Sequence, residues 1–185
     1  MPNQKTDQQQ DTDAYIKWIQ RDNTYTVPMI WSFIFFDMPS SEFTRRIRLH
    51  RNLRRTGCTM HSQSVYCMPY SQRTHLILKT LDENITAVQV IADEEQAYSL
   101  AETYADFIDD LFLELENKVE ELEDAKALSE TNNSRGYTKR FKKMHEGVER
   151  VKDVLRLFPS QEAHIRLSGL ETLIDQIHGR EQGTA

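Results

Sequence analysis

From Met29 to Phe36 the chain reads MIWSFIFF, an almost unbroken apolar run with aromatic and β-branched members between Pro28 and Pro39. Such a run predicts a buried strand. After Asp37 the period changes. In SSEFTRRIRLHRNLRRTG, at 100° per residue, Phe43, Ile47, Leu49 and Leu53 fall on one broad face and Arg45, Arg48, Arg51 and Arg55 on the opposite one. This predicts a helix, with Ser40 or Ser41 to cap it, Glu42 at its positive end and Gly57 to stop it. CTMHSQSVYCM reads as strand, with Cys58, Met60, Val65 and Cys67 as inward positions. A break between His61 and Gln63 would make it two strands or one bulged strand. YSQRTHLILKTLDEN predicts a second helix with Leu76, Ile77, Leu78 and Leu81 in the core, and ITAVQVIA a further strand.

The order strand, helix, strand or strand pair, helix, strand spells a split βαβ sandwich, an α+β fold of the ferredoxin-like kind, over residues 29–92. After Ala92 the pattern becomes purely helical. Asp93 and Gln96 fit a capping box. Ala101, Tyr104, Ile108, Leu111 and Leu115 are spaced by threes and fours, with Leu122 seven further on. Unbroken to Thr131, this helix would extend roughly 55 Å. NNSRG predicts a turn. Phe141, Met144, Val148, Val151, Leu155 and Phe158 form the next seam; Pro159 ends it and Ser160 caps a third, with Ala163, Leu167, Leu170, Ile174 and Ile177. Three seams joined by short turns predict an antiparallel helical hairpin or bundle, a coiled-coil-like arm over residues 93–185. Residues 1–28 read as a Gln- and Asp-rich polar tail carrying a short amphipathic segment, Tyr15, Trp18 and Ile19, that docks on the main body.

Charge sharpens this division. The net charge is −6, but it is segregated. Arginines occupy positions 45, 46, 48, 51, 54 and 55 with no acid among them, whereas residues 93–130 hold fourteen acids against Lys118 and Lys126. A basic working face and a separate acidic, solvated arm follow. No stretch approaches the roughly twenty apolar residues of a membrane span. The N-terminus lacks the layout of a secretory signal, so a cytoplasmic protein without a membrane partner is expected. Two cysteines are too few for a disulfide framework.

Three sets of residues carry candidate chemistry. Arg45, Arg46, Arg48, Arg51 and Arg55 suit phosphate contact, because guanidiniums bind phosphate bidentately and displace counterions; pairing with the acidic arm is the competing use. Asp37 ends the first strand, where ligand-binding residues often emerge. It serves either as a turn former with Pro39 or as a metal ligand; one carboxylate is a poor site for a hard cation, and two across a dimer axis would answer that. Cys58, His61 and Cys67 give C-x2-H-x5-C, a set suited to transition metals but one ligand short of the usual zinc site. Buried structural cysteines are the plainer reading.

IFFDMP, TRRIRLHRNLRRTG and SQSVYCMP together resemble the small CRISPR-associated endonuclease of the spacer-acquisition complex and its relatives. Those relatives include the virulence-associated toxin D ribonucleases and the effector domain of the phenylacetate-degradation repressor. They also include the N-terminal domain of chromate-resistance regulators, whose layout is similar over most of this chain. The resemblance implies a ferredoxin-like homodimer with Asp37 facing its copy across the axis. In nuclease members that pair holds magnesium and nearby arginines hold phosphates, which carries Asp37 over as metal ligand and Arg45 and Arg46 as phosphate contacts. Nuclease members often have an acid soon after the Ser-Val-aromatic strand; here Cys67 and Met68 follow.

The expected function is that of a dimeric nucleic-acid-binding protein, regulatory or architectural, with the helical arm for dimerisation or a protein partner. A magnesium-dependent endonuclease on paired Asp37 residues, acting on RNA rather than DNA, is the alternative. A protein-interaction module that uses no nucleic acid is the third reading.

Overall fold

A computed structural model describes residues 18–21, 25–129 and 134–179. Residues 1–17, with the Tyr15 part of the expected docking segment, lie outside them. The chain divides into two compact units, residues 1–104 and 105–185.

The first unit opens with a hairpin. Strands β1 (Trp18–Arg21) and β2 (Tyr25–Pro28) pair antiparallel, Trp18 opposite Pro28. Trp31 donates its indole N–H to the Pro28 carbonyl at 2.8 Å, which anchors the end of the hairpin to the main sheet. Trp18 and Ile19 therefore belong to a small separate sheet.

The main sheet contains β3 (Ile30–Phe36), β4 (Thr59–Ser62), β5 (Val65–Pro69) and β6 (Ile85–Ile91) in the order β4-β5-β3-β6. Every pair in it is antiparallel. Helix α1 (Phe43–Thr56) links β3 to β4, and α2 (Gln72–Leu78) links β5 to β6. This is the ferredoxin-like arrangement: the helix connections force β5 between β3 and β4, and β3 between β5 and β6.

Alternation along β3 assigns the two sheet faces. Ser32 and Ile34 point to the helices, since Ser32 Oγ lies 3.1 Å from His75 Nδ1 on α2. Trp31, Phe33 and Phe35 point the other way. The first turns of α3 (Glu94–Ser129) cover the Trp31 end of that second face. Tyr104 meets Trp31 edge-on at 5.8 Å and donates its hydroxyl to the Gly57 carbonyl.

Local chemistry explains most boundaries. Gly57 takes φ 97°, left-handed, and its N–H closes the end of α1 on the Leu53 and Arg54 carbonyls. The expected serine cap is replaced by a 3-10 turn, Ser40–Glu42, and neither this turn nor α1 has a side-chain cap. The break between His61 and Gln63 proves to be a bulge next to a two-residue turn, with Ser64 at φ 66°. Asp93 Oδ1 accepts from Gln96 N, and Ser160 Oγ from Ala163 N.

Three core expectations differ. Met60 is exposed, because alternation turns it to the helix side of the edge strand β4, whereas Thr59 is buried. In α2, Leu76 and Ile77 are exposed, and His75 and Leu78 point inward. A helix of seven residues buries only one i, i+3 pair. On α1, Phe43 is 68% exposed, because Leu49 and Leu53, about 120° and 80° away from it around the helix, face the sheet.

The second unit is an antiparallel three-helix bundle of the rest of α3, α4 (Ser134–Leu157) and α5 (Gln161–Gly179). Of the expected NNSRG turn, residues 134–136 are already helical, since α4 starts at Ser134; its first two residues lie outside the described residues. Leu111, Leu115, Leu122, Met144, Val148, Val151, Leu155, Leu167, Ile174 and Ile177 are buried along the predicted seams. Gly147 lets α4 approach α3: a Cβ there would sit 3.1 Å from Leu115 Cδ1. Arg166 spans the bundle, with Asp109 at 3.0 Å, Glu116 at 2.8 Å and the Phe112 ring 4.6 Å from its guanidinium carbon.

Candidate nucleic-acid interface

Helix α1 sorts its six arginines into three rows. Leu49 and Leu53 are buried against the sheet and fix its rotation; burying each completely is worth about 1.5–3 kcal/mol. Arg48, Arg51 and Arg55 then stand on the outward face, all exposed. They span roughly 10 Å at 1.5 Å per residue, with Asn52 between them, Thr44 one turn before Arg48, and Phe43 and Ile47 along one side. Among the described residues these three make no ion pair. The outward row can therefore offer its donors to an anionic polymer.

Arg45 is in a different situation. Its Nε and Nη2 grip the two Asp82 oxygens at 3.0 and 2.7 Å, and further bonds reach Glu83 at 3.0 Å and Glu42 at 3.1 Å. The hydrogen bonds that Arg45 donates to Asp82, Glu83 and Glu42 raise its pKa and hold it charged. The Asn84 backbone N–H, then Arg45, depress the Asp82 carboxyl below its usual range. Arg45 ties α1 to the turn before β6 and is already saturated with carboxylates.

The third row lies on the opposite flank: Arg46, His50 and Arg54, each four residues apart. His50 Nδ1 is hydrogen-bonded to the Tyr66 hydroxyl on β5, and Tyr66 in turn packs on Phe36 at 5.9 Å. Burial, then the Arg54 charge, lowers the His50 pKa. Burial raises the Tyr66 hydroxyl, while Arg54 and Arg46 pull it partly back. Neither His50 nor Arg54 stands out in the sequence as a site residue; only the four-residue spacing with Arg46 signals them.

Asp37 is exposed just past the end of β3, before the 3-10 turn. Among the described residues it takes no hydrogen bond or ion pair. The Pro39 carbonyl, accepting from Glu42 N, closes that turn instead.

The structure does not assemble Cys58, His61 and Cys67 as a metal set. Cys58 and Cys67 are buried, and burial pushes both thiols up, that of Cys67 to about 12. Thiols held protonated are poor ligands. Cys58 lies 3.5 Å from Met68 Sδ, on the helix-covered face, while Cys67 is opposite Phe33 on the other. His61 is exposed and stands edge-on to Phe33 at 5.4 Å. Among the described residues no group of three His, Cys, Asp or Glu is placed to hold a metal.

Among the described residues, nothing covers the far end of the second sheet face. Phe33 and Phe35 stack at 6.4 Å, Phe35 is 41% exposed, and Val88 and Thr86 lie beside them on β6. The apolar run in the sequence could not show which of its aromatics would be left open.

A ferredoxin-like sheet with an arginine-bearing first helix defines the class. Residues 27–104 match the family model of the PaaX protein central Cas2-like domain, which covers the hairpin end, the whole sheet and the first turns of α3. This chain is therefore similar to that domain and has a Cas2-like, ferredoxin-like fold, followed by a helical region. No curated protein matches the chain. Among the described residues, no helix is long and apolar enough to cross a membrane.

Proposed function

We propose that the chain is a homodimeric, cytoplasmic nucleic-acid-binding regulator with the layout of the chromate-resistance regulators. The observation that carries this reading is the exposed Arg48, Arg51 and Arg55 row on an acid-free helix in an otherwise acidic chain. Such a row binds phosphates with strong salt dependence and little base readout. The similarity to a PaaX-type Cas2-like domain supports a regulatory role. A homodimer is supported by the open Phe33 and Phe35 face, since two twisted sheets pack about 10 Å apart through such apolar faces. Leu113, Ile165 and Leu173 are exposed on the helical arm and suit a protein partner there. The test is salt-dependent binding of mixed-sequence DNA and RNA by the wild type and by the Arg48, Arg51, Arg55 triple alanine variant. Equal binding by both overturns the reading and favours a protein-interaction module.

A magnesium-dependent endonuclease is the second reading, favoured by one observation: Asp37 is exposed and without a partner among the described residues. A hard cation needs several oxygens, so a second copy's carboxylate would have to complete the site. Magnesium-dependent cleavage that disappears in Asp37→Ala, with the dimer intact, is the expected sign; persistence of cleavage in that variant overturns it.

A further inference from the structure

We propose that Arg46, His50 and Arg54 form a second anion-binding row on α1, taking a phosphodiester backbone, with Tyr66 as the residue that orients the imidazole. The proposal rests on the nucleic-acid reading above and deepens it, because it adds residues and a proton to the contact.

The geometry comes first. Spaced by four, the three side chains advance about 12 Å along one flank of α1, and each is half-buried rather than free to sweep through solvent. Arg46 and Arg54 stand one turn of α1 before and after His50, and both pull the Tyr66 pKa partly back down. Tyr66 is 2% exposed, and its ring is fixed against Phe36. Its hydroxyl holds His50 Nδ1. The two ring nitrogens of an imidazole diverge, so a ring held at Nδ1 from the sheet side presents Nε2 away from the sheet.

The chemistry follows from that bond. Burial keeps Tyr66 protonated, and in the Nε2–H tautomer of the neutral imidazole its hydroxyl donates to Nδ1. Nε2 then carries the hydrogen and is a donor between two guanidiniums. Among the described residues, Arg54 on the same helix acts on His50, and Arg54, Cys58 and Arg46 act on its partner Tyr66; Phe36 on β3 adds no charge. In the free protein burial and Arg54 disfavour the imidazolium. A phosphate seated on the row reverses the sign of the local field. His50 then takes a proton from the solvent, Nδ1–H becomes the donor, and the Tyr66 oxygen accepts. Binding is therefore coupled to proton uptake.

The test is calorimetric titration of the full chain with a mixed-sequence DNA duplex and a single-stranded RNA, near pH 7, in two buffers of different ionisation enthalpy. The wild type is expected to take up a fraction of a proton per chain. His50→Gln should abolish the uptake and weaken binding by about three- to tenfold, the range of a partly exposed charge-assisted bond. Tyr66→Phe keeps the ring packing and should reduce the uptake. No uptake by the wild type, or the same uptake in both variants, overturns the proposal. If binding is lost in the Arg48, Arg51, Arg55 triple variant but unchanged in His50→Gln and Arg54→Gln, this row is wrong and the nucleic-acid reading stands. If neither probe binds at all, both fall.

Discussion

Arg45 on α1 and Asp82 in the turn before β6 form a two-point pair, Nε to Oδ2 at 3.0 Å and Nη2 to Oδ1 at 2.7 Å. The pair joins residues thirty-seven positions apart and takes Arg45 out of the row it shares in the sequence. Arg45→Ala is therefore expected to leave nucleic-acid affinity within about twofold, the scale on which partly exposed ion pairs act, while lowering the unfolding midpoint. Anisotropy titration and thermal melting of the same variant separate the two effects. A loss of affinity as large as that from the outward row would return Arg45 to the interface.

For that outward row the expected signature is the salt slope. Each phosphate contact removed from B-DNA changes the slope of log K against log salt by about 0.9. Replacing Arg48, Arg51 and Arg55 by alanine should thus flatten the slope by roughly 2–3 for duplex DNA. Titrations between low and physiological salt measure it directly.

His75 gives a pH dependence of stability. It is 8% exposed and shares a bond with Ser32, and burial, then Lys79, holds its pKa below the ordinary histidine range. The unfolded chain then binds more protons than the folded one as pH falls through about 6.5. Stability is full above that range and declines below it, until the folded-state pKa is passed. The depressed Asp82 adds a further loss below about pH 4. Urea unfolding between pH 7 and 5 should show the first loss in the wild type and a flatter profile in His75→Gln.

Two helix glycines should respond oppositely to enlargement. Gly169 on α5 is exposed with nothing within 4 Å of an added Cβ. Gly169→Ala should raise stability by about 0.5–1 kcal/mol through helix propensity. Gly147 faces Leu115 Cδ1 at 3.1 Å, so Gly147→Leu should cost about 1–3 kcal/mol by overpacking. Denaturant midpoints compared with the wild type decide both.

The open sheet face yields a prediction about assembly. Phe35→Glu places a charge on the stacked Phe33 and Phe35 surface at a side chain that is itself exposed. Light scattering should show a shift from dimer to monomer at unchanged thermal stability per chain. A dimer that survives this substitution assembles through another surface.

Much of this was legible in the chain itself. The period-2 and period-3.6 patterns determined the order of elements, because each element must bury one face, and that order with its connections determined the sheet. Gly57 marked the end of α1, since only glycine enters the left-handed region without strain. The helical seams were written in leucine, valine and phenylalanine spacing. Tertiary structure decided which arginine does what. Arg45 and Arg48 look equivalent on a helical wheel, yet only Arg45 comes within reach of Asp82, and that depends on where α2 and β6 place the turn. It also separated Cys58 from Cys67, by setting neighbouring rungs on opposite sheet faces, and it left Phe35 open while the α3 end covered Trp31. A pattern of apolar residues specifies that a surface is buried; only the packed neighbours specify by what.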